Sequence, residues 1–162
     1  MTHSTLTRRA LAIAAVSAAA FSVATPAQAQ TDIQWWHSMT AVNGEWVNDL
    51  AKEFNASQKE YRIIPTFKGT YDESMTAAVA AFRAGNAPHI LQVFEVGTAT
   101  MMASKGAIVP VGKVMADAGQ KFDPKAYIPA VAGYYTAPNG QMLSFPFNSS
   151  TTCLLYTSPS PR

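Results

Sequence analysis

Residues 61–94 read YRIIPTFKGTYDESMTAAVAAFRAGNAPHILQVF, and the change from strand-forming residues to helical spacing inside this stretch decides the fold class. Tyr61, Ile63, Ile64 and Phe67 are strand-forming side chains in a short run that Gly69-Thr70 breaks. Met75, Ala78, Val79 and Phe82 then share one face of a helix, with Gly85-Asn86-Ala87-Pro88 as its stop. His89 to Phe94 is a second short apolar run and is read as a strand. Two strands joined through a helix favour parallel pairing.

Working outward, Asp32 to Trp36 carries Ile33, Trp35 and Trp36 and is read as a buried first strand near the sheet centre. Gly44 opens a helix in which Trp46, Val47, Leu50, Ala51 and Phe54 recur at helical spacing, and Asn55-Ala56-Ser57 closes it. The whole is a β-α-β-α-β series, an α/β fold. Downstream the sequence predicts a short helix from Thr98 to Lys105 ended by Gly106, and another from about Gly112 to Ala118 ended by Gly119. A proline-interrupted segment, Phe122 to Val131, leads into an expected hairpin whose strands, Val131 to Tyr135 and Met142 to Phe145, flank Pro138-Asn139-Gly140.

Both ends are set apart from this core. Residues 1–29 read as an export signal: Arg8 and Arg9, an apolar stretch from Ala10 to Val23, and a small-residue cleavage site at Ala27-Gln28-Ala29. The stretch is shorter than the roughly 20 residues a membrane helix needs, so the expectation is export, removal near Ala29 and a mature start at Gln30. Thr7-Arg8-Arg9 with Leu11 leaves both the general and the twin-arginine routes open. At the other end, residues 153–162 share no periodicity with what precedes them and resemble translated sequencing adapter, so residues 30–152 are taken as the native segment. Setting aside Arg8, Arg9 and Arg162 leaves nine basic residues against ten acidic ones. That balance removes any electrostatic case for nucleic acid or an acidic membrane surface. With Cys153 discounted no cysteine remains, so neither a disulfide nor a thiolate metal site is expected.

In open α/β sheets, ligands gather at the carboxyl ends of strands, where loops enter helices. Three places qualify: Lys68 to Tyr71, Phe94 to Gly97, and Phe147 to Thr151. Glu95 is a carboxylate flanked by Val93, Phe94 and Val96; it either accepts from the hydroxyls of a polyol or caps the following helix. Tyr71 offers a flat ring with a polar tip, suited to covering a small polyol or to half-buried packing. Asn148 to Thr151 supplies hydroxyls and N–H groups that hold an anion or form an ordinary turn. Trp35, Trp36 and Trp46 are assigned chiefly to packing, as is Met101-Met102. His3, His37 and His89 have no partner at metal-ligand spacing, and no phosphate loop or nucleophile elbow occurs. Asp72-Glu73 sits at a helix start, where it complements the dipole.

Trp36-His37-Ser38-Met39, the run from Phe82 to Pro88, the block from Gln92 to Lys105, and Pro146 to Thr151 together resemble the glycerol-3-phosphate-binding proteins of Ugp-type ABC importers, within family 1 of the extracellular solute-binding proteins. The resemblance runs from about Ile33 to Thr151; the Arg-x-Gly-x-Ala-Pro element marks only the broad family, whereas the Glu95–Lys105 block and Asn-Ser-Ser-Thr are more specific. It departs at Thr152, where such proteins have proline. The resemblance implies an incomplete type II periplasmic-binding-protein lobe whose second lobe is missing, with Tyr71, Glu95 and Ser150 touching the ligand. It also implies sn-glycerol 3-phosphate as that ligand, an inner-membrane permease with its cytoplasmic ATPase as partners, a monomeric state, and neither cofactor nor catalysis.

Overall fold

The structure, a computed structural model, describes residues 29–149 apart from Lys105 and the side chains of Glu95, Val96 and Met102. The expected export signal, Ser150 and the tail from residue 153 therefore lie outside the described residues.

Three parallel strands form the sheet. β1 (Thr31–His37) is central, with β2 (Tyr61–Phe67) on one side and β3 (Ile90–Leu91) on the other. β1 and β2 pair over their whole length, from Thr31↔Tyr61 to His37↔Phe67, and β3 joins at Trp35↔Ile90 and Trp36↔Leu91. The central place expected for the first strand is what its aromatic run produces: Trp35 and His37 are both buried. β2 is an edge strand, which is why it tolerates Pro65, a residue with no N–H to give a ladder. Its outer edge is covered at Ile63, whose N–H donates to Asn55 Oδ1 at 2.7 Å and whose carbonyl accepts from Asn55 Nδ2 at 2.9 Å.

α1 (Ala41–Ser57) joins β1 to β2, and α2 (Tyr71–Arg83) joins β2 to β3. α1 starts three residues ahead of Gly44, so that glycine does not open the helix as expected. A Cβ there would lie 3.0 Å from the Met39 carbonyl oxygen, so Gly44 serves the close approach of the β1–α1 turn, in which Ala41 itself sits at φ 49°. α2 follows its sequence signals closely. Thr70 and Glu73 form a capping box, and the end is a Schellman motif: Gly85 at φ 71° donates to Phe82 O at 3.0 Å and Asn86 N to Ala81 O at 2.8 Å.

β3 is shorter than the expected His89–Phe94 run. Hydrogen bonds from His89 N to Gln34 O (3.1 Å) and from Gln92 N to Trp36 O (2.9 Å) bracket it, and the chain then leaves the sheet to enter α3 (Glu95–Ala103), which begins three residues before the expected Thr98. Val93 and Phe94 pack on Gly97 in the first turn of α3, where any Cβ would come within 2.9 Å of each. Their apolar surface is thus spent on the helix rather than on a longer strand.

Beyond it lie α4 (Val111–Asp117), a 3-10 turn at Pro124–Ala126 capped by Asp123, and α5 (Pro129–Tyr134). α5 corrects the first arm of the expected hairpin. Pro129 occupies the first helical turn, where its fixed φ and missing N–H suit a helix and oppose a paired strand. What remains of the hairpin is a tight reversal with one bridge, Thr136↔Met142, closed by Ala137 N to Gln141 O at 2.9 Å, with Gly140 at φ 81°. Tyr135 and Met142 are buried at its base. The principal core is Trp35, Met39 and Val47, with Ile63, Tyr71 and Phe147 packed against it.

Candidate functional site

All three β-to-α loops open at the carboxyl end of the sheet, and the order β2-β1-β3 places the reversal of chain direction beside β1. Such a reversal leaves a crevice between the loops that leave the central strand in opposite directions. The loops here are Ser38–Thr40 after β1, Lys68–Thr70 after β2 and Gln92–Phe94 after β3.

Tyr71 is the first residue of α2. Its ring stacks on Phe94 with centroids 5.3 Å apart and an interplanar angle of 27°. Phe94 is the N-cap of α3, so the stack sets Tyr71 against the residue immediately before Glu95. Glu95 itself is the first residue of α3 and not the end of a strand, which corrects its expected setting. A carboxylate in the first helical turn is favoured by the partial positive charge of the exposed N–H groups.

The neighbouring acid, Glu73, is committed elsewhere. Its Oε2 accepts from Thr70 N at 2.7 Å and from Thr70 Oγ1 at 3.0 Å, while Thr70 Oγ1 accepts from Glu73 N at 3.3 Å. The backbone bond from Thr70 holds the Glu73 carboxyl below its ordinary range, with the Thr70 hydroxyl adding to it. The same carboxylate excludes a side chain at Gly69, whose φ is 82°. Lys68 lies with Nζ 4.0 Å from the centroid of Trp36, a cation–π contact at the mouth of the β2 loop.

The segment leading toward Ser150 comes to the same core. Phe147 meets Trp35 edge-on at 5.5 Å and stacks on Trp46 at 5.1 Å, and Asn148 Nδ2 approaches Met39 Sδ at 3.3 Å across 109 positions of sequence. A depression of about 230 Å³ adjoins it, walled by Tyr127, Ile128 and Val131 on one side and by Pro146 to Ser149 on the other. Tyr71 and Phe147 thus pack on one cluster. Of the expected contact residues, the structure gives Tyr71 complete and Glu95 as backbone, and Ser150 falls outside the described residues.

The remaining candidates sort by their partners. Trp35 is core; Trp36 is half-buried beneath Lys68; Trp46 is 44 % exposed, so packing accounts for it only on the face that meets Phe147. Met101 is half-buried. His37 Nδ1 accepts from Met39 N at 3.3 Å, and burial depresses the pKa of its ring. His89 Nδ1 accepts from Gln34 N at 3.0 Å. Both rings are occupied by backbone, and among the described residues no group of His, Cys, Asp or Glu is placed to hold a metal.

Two polar residues lie within the quoted motif blocks but carry no assigned role there. Gln92 Oε1 accepts from Ser38 N at 3.0 Å, tying the β3 loop to the β1 loop. Their other polar atoms, Gln92 Nε2 and Ser38 Oγ, are shut from solvent and meet no hydrogen-bond partner among the described residues. The signals available in sequence were those blocks and position: each residue lies one past the end of its strand.

Comparison with known proteins follows the same lines. A profile described as bacterial extracellular solute-binding protein matches residues 49–159. The sn-glycerol-3-phosphate-binding periplasmic protein of Brucella suis is 49 % identical over 150 residues, which is 93 % of this chain and 35 % of the relative. The protein of the same name from Agrobacterium fabrum is 50 % identical over 152 residues, 94 % of this chain and 35 % of the relative. That from Pectobacterium atrosepticum is 56 % identical over 131 residues, 80 % and 29 % respectively. The chain spans about a third of the length of these relatives. Among the described residues, no helix is long and apolar enough to cross a membrane.

Proposed function

The chain belongs to the bacterial extracellular solute-binding protein family, and from that premise we propose that it is the amino-terminal part of a receptor that captures sn-glycerol 3-phosphate in the periplasm for an ABC importer. Glycerophosphodiesters are further candidates. The observation that carries this reading is the Tyr71–Phe94 stack, which sets the β2–α2 turn against the start of α3 while Phe147 brings the Asn148–Ser149 segment to the same core. In this reading Tyr71, Glu95 and Ser150 are the residues that touch the solute.

In this mechanism the protein binds and releases; it makes and breaks no bond of its solute. Glu95 accepts from the glycerol hydroxyls, because a carboxylate next to phosphate would be repelled in a partly dry cleft. Tyr71 and Ser150 donate. The engagement of Glu73 with Thr70 at the start of α2 commits that second negative charge away from the anion. The native lobe, residues 30–152, is of type II and is completed by a second lobe that supplies the remaining phosphate donors. Closure of the two lobes presents the loaded monomer to the membrane permease and its ATPase. One lobe alone binds weakly, since the donors from the other side are absent.

Isothermal titration of the complete protein with sn-glycerol 3-phosphate tests the reading. Binding is expected in the wild type and a loss of at least tenfold in Glu95→Ala, the worth of one charge-assisted hydrogen bond at about 1.5–3 kcal/mol. Equal affinities would remove Glu95 from the site. A thermal-shift screen that raises the melting temperature with an oligosaccharide and not with glycerol 3-phosphate would replace the ligand.

A further inference from the structure

A buried donor without an acceptor is costly, and two of them on the loops that follow neighbouring strands call for a physical reason. Gln92 and Ser38 are joined by the 3.0 Å bond from Ser38 N to Gln92 Oε1. This bond fixes the amide orientation, since Nε2 in that place would set two donors face to face. It leaves Nε2, which can only donate, and the Ser38 hydroxyl, which can donate, with no protein group to receive them among the described residues. Both residues are only half-buried as a whole, although these atoms are closed off. Turning the Ser38 hydroxyl toward the crevice breaks no hydrogen bond found here and needs only a χ1 step between staggered rotamers.

Their place in the fold supplies the acceptor. Ser38 follows central β1 and Gln92 follows β3, so the pair stands beside the reversal of chain direction. Gln92 is three residues before Glu95, and Ser38 adjoins Met39, the core residue that Asn148 Nδ2 approaches at 3.3 Å. We propose that Ser38 and Gln92 form a ligand subsite in which the Ser38 hydroxyl, turned to the crevice, donates to an oxygen of the solute's phosphate while Gln92 Oε1 holds the Ser38 backbone in place. This assignment rests on the binding function proposed above and adds to it a subsite on the central strand. A neutral donor suits such a place: it holds an anion without a buried cation, whose desolvation would oppose binding.

The test compares Ser38→Ala and Gln92→Met with wild type in the complete protein, by melting temperature without solute and by titration with sn-glycerol 3-phosphate and with inorganic phosphate. Ser38→Ala deletes only the unpartnered hydroxyl and keeps the backbone bond to Gln92. Its solute-free melting temperature is expected to stay or rise while affinity for glycerol 3-phosphate falls roughly three- to tenfold, the worth of one neutral hydrogen bond. Gln92→Met is expected to weaken binding at least as much and to lower the melting temperature through loss of the bond to Ser38 N. Wild-type affinity in Ser38→Ala and Gln92→Met, with either probe, overturns the assignment and makes the pair structural. A wild type that binds phosphate but not glycerol 3-phosphate sinks the proposed function, and the loss of phosphate affinity in the two variants then upholds the subsite independently. No binding of either probe by the wild type overturns both.

Discussion

Replacing Thr70 with alanine tests whether the helix that presents Tyr71 is held by its own capping box. In the wild type the Thr70 hydroxyl accepts from Glu73 N at 3.3 Å, and Glu73 Oε2 accepts from Thr70 N at 2.7 Å and from the hydroxyl at 3.0 Å. Alanine removes the hydroxyl yet keeps the shortest bond, because residue 70 still has its N–H. Loss of an N-cap hydroxyl costs roughly 0.5–2 kcal/mol; with the backbone half of the box intact and the lost N-cap bond long, about 1 kcal/mol is expected. A local loss of that size speeds amide exchange about fivefold in the first turn of α2, and hydrogen exchange followed by mass spectrometry over residues 70–80 reads it directly. Thr70→Ser should restore the wild-type rate. Since Tyr71 is the next residue, affinity for glycerol 3-phosphate should fall in the alanine variant and return in the serine one. Wild-type exchange in Thr70→Ala, or serine behaving like alanine, would refute the argument.

Other perturbations follow from the same contacts. Asn55→Ala strips both backbone bonds from Ile63 on the edge strand and should lower stability by about 1–3 kcal/mol in urea unfolding, with Asn55→Asp only partly restoring it because a carboxylate would face the Ile63 carbonyl. Ser74 Oγ is fully buried without a partner among the described residues, so Ser74→Ala should raise stability by about 1 kcal/mol, helped by the better helix propensity of alanine. Burial holds the pKa of His37 below its ordinary 6.5, so the unfolded chain binds the proton more readily. Stability should therefore be indifferent to this ring above pH 6.5 and decline as pH falls from there through the lower folded value, and His37→Asn should flatten that decline in thermal melts. Glu73 behaves as a depressed carboxylate: its contribution is present above its ordinary 4.5 and lost as pH falls through the folded value, a loss that Glu73→Gln should abolish in acid titrations of unfolding.

Sequence by itself determined the β-α-β-α-β order, because each signal in residues 31–94 is local. The switch from strand-forming residues to helical spacing at Gly69-Thr70, the capping box one turn long, and the glycine stop at Gly85 all act over a few residues and were present in full before any tertiary contact formed. The position of Tyr71 at the head of α2 was legible for the same reason, since a residue after a strand-ending turn has its place set by that turn. Tertiary structure decided the rest. A short apolar run fits a strand or a helix start equally well, so whether Val93 and Phe94 extended β3 or folded onto Gly97 depended on what packed against them. Val131 to Tyr134, by contrast, lies in a helix whose start Pro129 favours locally, a signal in competition with the turn residues Pro138 to Gly140. The union of Ser38 with Gln92 and the arrival of Phe147 on Trp35 and Trp46 join residues more than fifty positions apart. Such pairings have no period to announce them, because they arise only when loops from different strands meet at one end of a sheet.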